Sequence, residues 1–439
     1  MTHRWLLLLV MWVVGLPAPA STTDFEIAHH EARIEPDFAN RSISGEVTLR
    51  VVAKSAGAHV LTLDAGDLQI DSVQEGKRPV AFERVKQRLV IRLVPPALAG
   101  QPRELVVAYH GTPRAGLRFS DEGAQVSTAF STSHWLPCLD APSQRATLAL
   151  TLILPPGLQA VANGSHESTQ TLASGKHASR WVLNQPMPSY LYGFVAGDFR
   201  VVTQTAGATT LRFMAPPSFS EDQLRQVFRD TADMLAFFEA KAGKPYPFAD
   251  YTQVLLRGPA AQEMSGFSVM GERYGQRVLA DPTRLWLGAH ELSHQWWGNG
   301  LTNHGWEHFW LNEGIATFMT AAYLEHRFGP GAYQEQIDAA RDKYEALRQA
   351  GHDKSLVFAN WDAPTAEDRS LVYDKGAYVT HLLRQHLGET TFWDGLRAYT
   401  RQHWGQSVHT ADFQQAMERS SGRDLAGFFD RWVYLTARD

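Results

Sequence analysis

A chain of 439 residues with one cysteine, Cys138, can form no internal disulfide. Its fold must rest on burial, and a chain of this length buries enough surface for that. Cys138 lies in the apolar segment WLPCLD and reads as a small buried side chain rather than a catalytic thiol. One cysteine also excludes a closed, cysteine-rich structural metal site. Excess positive charge is missing too. Lys and Arg number 41 against 46 Asp and Glu, a net charge of −5. That leaves no basic footprint for nucleic acid. After the first twenty residues no apolar run is long enough to span a bilayer. No internal repeat or low-complexity tract occurs. Hydrophobic content of 44% with 20% charged residues describes a globular protein with a substantial core.

The first twenty residues read as a leader. Arg4 gives a positive start, Trp5 to Leu16 a short apolar stretch, and Ala18-Pro19-Ala20 a small-x-small site before Ser21. This predicts a secretory signal peptide over 1–20 and a periplasmic or secreted protein without a stable membrane span after cleavage. The mature chain then divides in two. SGEVTLRVV alternates Val47, Leu49 and Val51 with Thr48 and Arg50, and VLTLDAG, RLVIRLV, ELVVAYHG and ATLALTLIL follow between turn residues. Short alternating strands at this spacing predict an all-β saddle or sandwich over 21–205. From residue 206 to 439 the apolar period becomes helical. One helix is expected from Ser220 to Lys241, and others near 284–298, 312–328, 331–349, 372–387 and from Thr410. The fold class is therefore α+β, with a β-domain feeding a mostly helical domain.

The chemistry concentrates in GAHELSHQWWGN, residues 288–299. Residues four apart on a helix lie about 40° apart around its axis, so His290 and His294 share one face. Glu291 sits on the flank, within reach of a water but not placed as a third ligand. H-E-x-x-H on a helix is a zinc-hydrolase signature. Eighteen residues on, WLNEG places Glu313 at the start of a second amphipathic helix. A His2Glu set leaves the fourth position of one Zn2+ open, as a catalytic site requires. A competing pair, His304 and His308, has the same spacing. Gly305 and Trp306 put it in a connecting segment, and it reads as loop. Tyr373, in SLVYDKGAYVTHLL, is either a half-buried core tyrosine or a donor to a developing oxyanion.

HELSHQWWGN, then WLNEG, then YDKGA resembles the M1 family of zinc aminopeptidases. SHWLPCLDAPSQRATLALTLILPPG, MPSYLYGFVAGDF, GKPYPF and RDLAGFFDRWVY resemble further landmarks of that family, and the likeness runs from about residue 24 to 435. It implies a saddle-shaped β-domain and a thermolysin-like catalytic domain acting on peptides. It assigns zinc ligation to His290, His294 and Glu313, the general base to Glu291 and the oxyanion donor to Tyr373. The sequence also departs from the family. It ends where the catalytic domain ends, so a more open cleft is expected. The loop whose GAMEN-type motif binds the substrate's free amine reads GPAAQEMSGFSVMG, where Glu263 is the only acid and precedes Met264. Ala129, before Phe130, stands where the family often has glutamine. Glu263 either pairs with the amine or is a solvated loop residue. An aminopeptidase is the expected function, with an endopeptidase, or a peptidase for modified peptides, as the alternative. A binding protein that has lost catalysis would lack a ligand or Glu291, and both are present. Side-chain preference and oligomeric state are not written in the sequence.

Overall fold

The computed structural model describes residues 24–120, 125–359, 361 and 364–435. The leader over 1–20 lies outside these residues. Alternation does what the sequence predicts in the first half. Val47 and Leu49 are fully buried and Val51 nearly so, while Glu46 and Arg50 face out. Their strand, Ser42–Ala53, sits inside an eight-stranded sheet. Phe25–Asp37 is its neighbour and pairs antiparallel with it; on its other side Phe25–Asp37 pairs parallel with Arg145–Leu154. A three-stranded sheet (Val60–Asp64, Phe82–Val85, Arg88–Arg92) and a four-stranded sheet (Leu117–Phe119, Gln125–Thr128, Gln159–Ala162, Phe194–Gly197) complete this half. Cys138 is free and buried, as its apolar neighbours imply.

A five-stranded sheet then begins, at the division expected near 205. Arg200–Ala206 forms a hairpin with Thr209–Ala215, and Thr209–Ala215 pairs parallel with Asp250–Leu256. Phe267–Gly271 adds parallel to that strand, and Ala261–Gln262 closes the edge antiparallel. Strand 200–206 thus belongs with the second half. Its core is continuous with the helices, from Val202 and Leu211 through Phe238, Trp296 and Tyr323. The second half is therefore mostly helical, as expected, with its helices around a five-stranded sheet.

The single helix expected over 220–241 is two: Glu221–Val227 and Thr231–Ala242. Asp230 breaks it. It precedes the second helix as its N-cap residue, is buried, and its carboxylate accepts from Arg327 Nε at 2.9 Å. Ser220 caps the first helix with a reciprocal capping box to Gln223. Four helices carry or brace the site: Trp286–Ser293, Trp310–Phe328, Pro330–Gln349 and Gly376–Leu387. Two helices not expected from the sequence, Glu272–Ala280 and Glu389–Gln402, pack outside them. Among the described residues no helix is long and apolar enough to cross a membrane.

Candidate metal centre and active site

The helix Trp286–Ser293 ends at His294, which caps it, so the two histidines span its last turn. Glu313 enters from the first turn of Trp310–Phe328. The three side chains meet. His290 Nε2 lies 3.1 Å from His294 Nε2, and Glu313 Oε2 lies 3.3 Å from the first and 3.5 Å from the second. A tetrahedral zinc site with bonds of about 2.0–2.1 Å has edges of about 3.3–3.4 Å. The three donor atoms already form one face of such a tetrahedron. All three residues are at most 5% exposed. Among the described residues they are the one group of three such side chains whose donor atoms converge. His294 Nδ1–H donates to the Trp297 carbonyl at 3.0 Å, which leaves the Nε2 lone pair for a metal.

The electrostatics suit a divalent cation. Three buried carboxyl groups, Glu263, Glu291 and Glu313, crowd two imidazoles. Burial raises Glu291 well above the usual carboxylate range, and the charges of Glu263 and Glu313 add to it. Burial, with Glu313 nearby, lifts Glu263 to about 7. Burial would raise Glu313 too, but in the metal-free pocket the protonated His294 and hydrogen bonds from both imidazoles hold it down at about 2. Without a metal the pocket thus holds protons on its carboxyl and imidazole groups, and a divalent cation would take their place and leave Glu291 ionised.

Tyr373 approaches from a third element. Its ring lies almost parallel to that of His290, 5.9 Å between centroids and 22° between planes. Burial and the Glu313 and Glu263 carboxylates push its phenol well up, so it remains a proton donor. The backbone over Leu371–Lys375 is a π-helical turn. Such turns insert one extra residue and re-aim a side chain, often at functional sites. Two glycines let this turn come close. A Cβ on Gly314 would lie 2.8 Å from Gly376 Cα and 2.9 Å from the Val372 carbonyl oxygen. The helices bearing Glu313 and Tyr373 therefore touch backbone to backbone.

Glu263 follows the edge strand Ala261–Gln262 and is not a solvated loop residue: it is 3% exposed. Gln262 Nε2 donates to its Oε2 at 2.6 Å, while Oε1 is buried without a hydrogen bond. Distant residues hold its loop. Asn299 Nδ2 donates to the Glu263 carbonyl at 3.2 Å, and Gln295 Nε2 to the Met264 carbonyl at 2.9 Å. Ala129 lines a small depression with Ala260, Ala261 and Gln262, so the two departures noted in the sequence face each other. His304 and His308 stay apart from the centre. The rings of both lie against His409, and His308 Nδ1 pairs with Thr410 Oγ1 at 3.0 Å.

Sequence reasoning missed Tyr190 and Asn312. Tyr190 Oη accepts from Asn312 Nδ2 at 2.9 Å and donates to the Gly298 carbonyl at 3.3 Å, and its ring stacks on Phe130. Asn312 was signalled by its place beside Glu313; Tyr190, over a hundred residues away, had no local signal.

Comparison with known proteins agrees with this geometry. The family model "Peptidase M1 N-terminal domain" matches residues 26–191, and "Peptidase family M1 domain" matches 227–432. Aminopeptidase 2 of Candida albicans is 23% identical over 94% of this chain and 47% of its own length. Aminopeptidase M1 of Arabidopsis thaliana is 28% identical over 68% of this chain and 35% of its own. The chain spans about half the length of the curated relatives it matches. Among solved structures, an M1 zinc metallopeptidase from Deinococcus radiodurans superposes with a TM-score of 0.80 at 22% identity, covering 97% of both chains. A mutant of that metallopeptidase bound to a Tyr-Ser-Ala substrate gives 0.82, covering 97% of this chain and 98% of the other. With both family models matched in order along one chain, the protein belongs to peptidase family M1.

Proposed function

We infer that the protein is a zinc aminopeptidase that releases N-terminal residues from peptides, with one Zn2+ held by His290, His294 and Glu313. The observation that carries this is the converged donor triangle with a buried carboxylate, Glu263, beside it and one of its oxygens unpartnered. When bound, zinc supplies Lewis acidity toward a carbonyl and lowers the pKa of water. Glu291 takes the proton from the attacking water and passes it to the leaving amine. Tyr373 donates its phenolic proton in a hydrogen bond to the developing oxyanion, a contact typically worth about 3–4 kcal/mol of barrier. Glu263 Oε1 accepts from the substrate's ammonium, which satisfies the buried oxygen and sets the cut one residue in. The relatives that are named aminopeptidases support this reading.

The test is one peptide in free and N-acetylated forms, incubated with zinc-loaded protein and read by mass spectrometry. A ladder from the free form alone is expected. Internal fragments from both forms would replace this reading with an endopeptidase. Export is part of the proposal, on the strength of Arg4, the apolar stretch Trp5 to Leu16 and the site ending at Ala20. Sequencing the N-terminus of the protein recovered from a secreting host should give Ser21; an intact Met1 would refute it.

A further inference from the structure

Arg145 stands at the first position of strand Arg145–Leu154 in the N-terminal half, yet its side chain works in the other half. Nη1 donates to Thr302 Oγ1 at 2.8 Å and Nη2 to the Asn299 carbonyl at 3.3 Å. Nε donates to the Pro186 carbonyl at 3.2 Å within its own half. Burial pushes its guanidinium down to about 10. Among the described residues no carboxylate pairs with it. Sinking a cation into neutral acceptors is costly, so the question is what those acceptors hold.

Those of the other half, on Asn299 and Thr302, belong to one turn, residues 298–302, which begins four residues after His294. This turn is a junction. Thr302 Oγ1 donates to the Gly298 carbonyl at 2.8 Å. The Asn299 amide donates to the His294 carbonyl at 2.9 Å. Asn299 Nδ2 holds the Glu263 carbonyl. Tyr190, also from the N-terminal half, holds the Gly298 carbonyl. Gly298 itself sits at φ +141, and a Cβ there would lie 2.8 Å from His294 Nδ1. The turn thus fixes the orientation of one metal ligand and the position of Glu263 together, and its own position is set from across the interface.

We propose that Arg145 is a positioning residue: it clamps the 298–302 turn to the N-terminal domain, so that metal affinity and amine recognition both depend on the docking of the two domains. The proposal rests on the zinc reading of His290, His294 and Glu313. It gives the N-terminal half a task beyond walling the cleft. A guanidinium suits it because its planar fork reaches two acceptors in fixed directions, which an ammonium does not.

The test uses the full chain. The zinc dissociation constant is measured by competition with a chromogenic chelator, alongside the melting temperature of the metal-free protein. Arg145→Met is expected to weaken zinc by about 10- to 100-fold, the usual loss when support behind a ligand is removed. Arg145→Lys should recover part of this. Thr302→Val breaks the same link from the other side and should weaken zinc likewise; it decides the matter if Arg145→Met does not fold. Gln125→Ala is the control. Its side-chain oxygen accepts from the Arg257 amide at 3.0 Å, an inter-domain bond made away from the turn, and zinc should bind within twofold of wild type. Zinc affinity within twofold of wild type in the folded Arg145 and Thr302 variants would overturn the proposal, even if their melting temperatures fall. So would an equal loss in Gln125→Ala. A wild-type chain that binds no zinc would instead overturn the metal reading beneath it.

Discussion

Gly314→Ala tests how closely the site depends on two helices touching. The added Cβ would stand 2.8 Å from Gly376 Cα, while ordinary contact begins at 3.4 Å. Both are backbone-bound atoms, so no side chain can swing aside. The helices must part by about 0.6 Å, or tilt by an equivalent amount. Alanine would add about 1 kcal/mol of helix propensity. Overpacking costs about 1–3 kcal/mol, so the net change in stability is small, at most about 2 kcal/mol of destabilisation. Catalysis amplifies the shift. Glu313 is the neighbour of Gly314 on one helix, and Tyr373 lies three residues before Gly376 on the other. A misplacement of about 1 Å costs about 100-fold in rate. A 0.6 Å separation should therefore lower kcat/KM by about 10-fold or more, with the loss mainly in kcat. Steady-state kinetics on a free-amine peptide, with a thermal melt of the same sample, separates the two effects. Wild-type kcat/KM in Gly314→Ala would show that the contact is packing without consequence for the site.

Tyr373→Phe should lower kcat by about 100- to 1,000-fold with little change in zinc content, as expected for one oxyanion donor; metal analysis with single-turnover kinetics checks it, and a change within threefold would remove Tyr373 from the mechanism. Glu291→Gln should abolish hydrolysis while the protein still binds one zinc, and an active, metal-loaded variant would contradict the base assignment. His30 offers a pH test away from the metal. Burial, with His29 alongside, lowers it from 6.5 to about 3. Between these values the unfolded chain holds a proton that the folded chain does not, so stability falls as pH drops below 6.5 and levels off below about 3. The slope is about 1.4 kcal/mol per pH unit at most, or about 2 kcal/mol between pH 7 and pH 5. Denaturant melts of His30→Gln should lose correspondingly less stability over that interval than wild type; an identical loss would show that His30 is not the group responsible.

What the sequence made legible was local. His290, Glu291 and His294 declare themselves because four-residue spacing on a helix is itself a geometry. Glu313 follows from a second amphipathic helix at a workable distance, and Tyr373 came from resemblance, since the π-helical turn that aims it has no sequence signature. What stayed hidden depends on contacts far along the chain. Asp230, at the break between two helices, pairs with Arg327, almost a hundred residues later. The strands Asp250–Leu256 and Phe267–Gly271 are almost wholly buried, so they lack the alternation that exposes a strand to the reader. Strand 200–206 looked like the end of the β-domain until its hairpin partner was seen pairing with residue 250 onward. Glu263 illustrates the same limit in the site. Its burial is imposed by Gln295 and Asn299, about thirty residues later, which hold the loop from behind.

The most direct test of the account is the ratio of kcat/KM for a free peptide to that for its N-acetylated form, measured in wild type and in Glu263→Ala. A buried carboxylate that takes the ammonium predicts a ratio of at least about 100 in wild type, collapsing toward 1 in the variant through loss on the free peptide. A wild-type ratio near 1, or a large ratio that Glu263→Ala leaves unchanged, would contradict the claim that this protein is an aminopeptidase that measures its cut from Glu263.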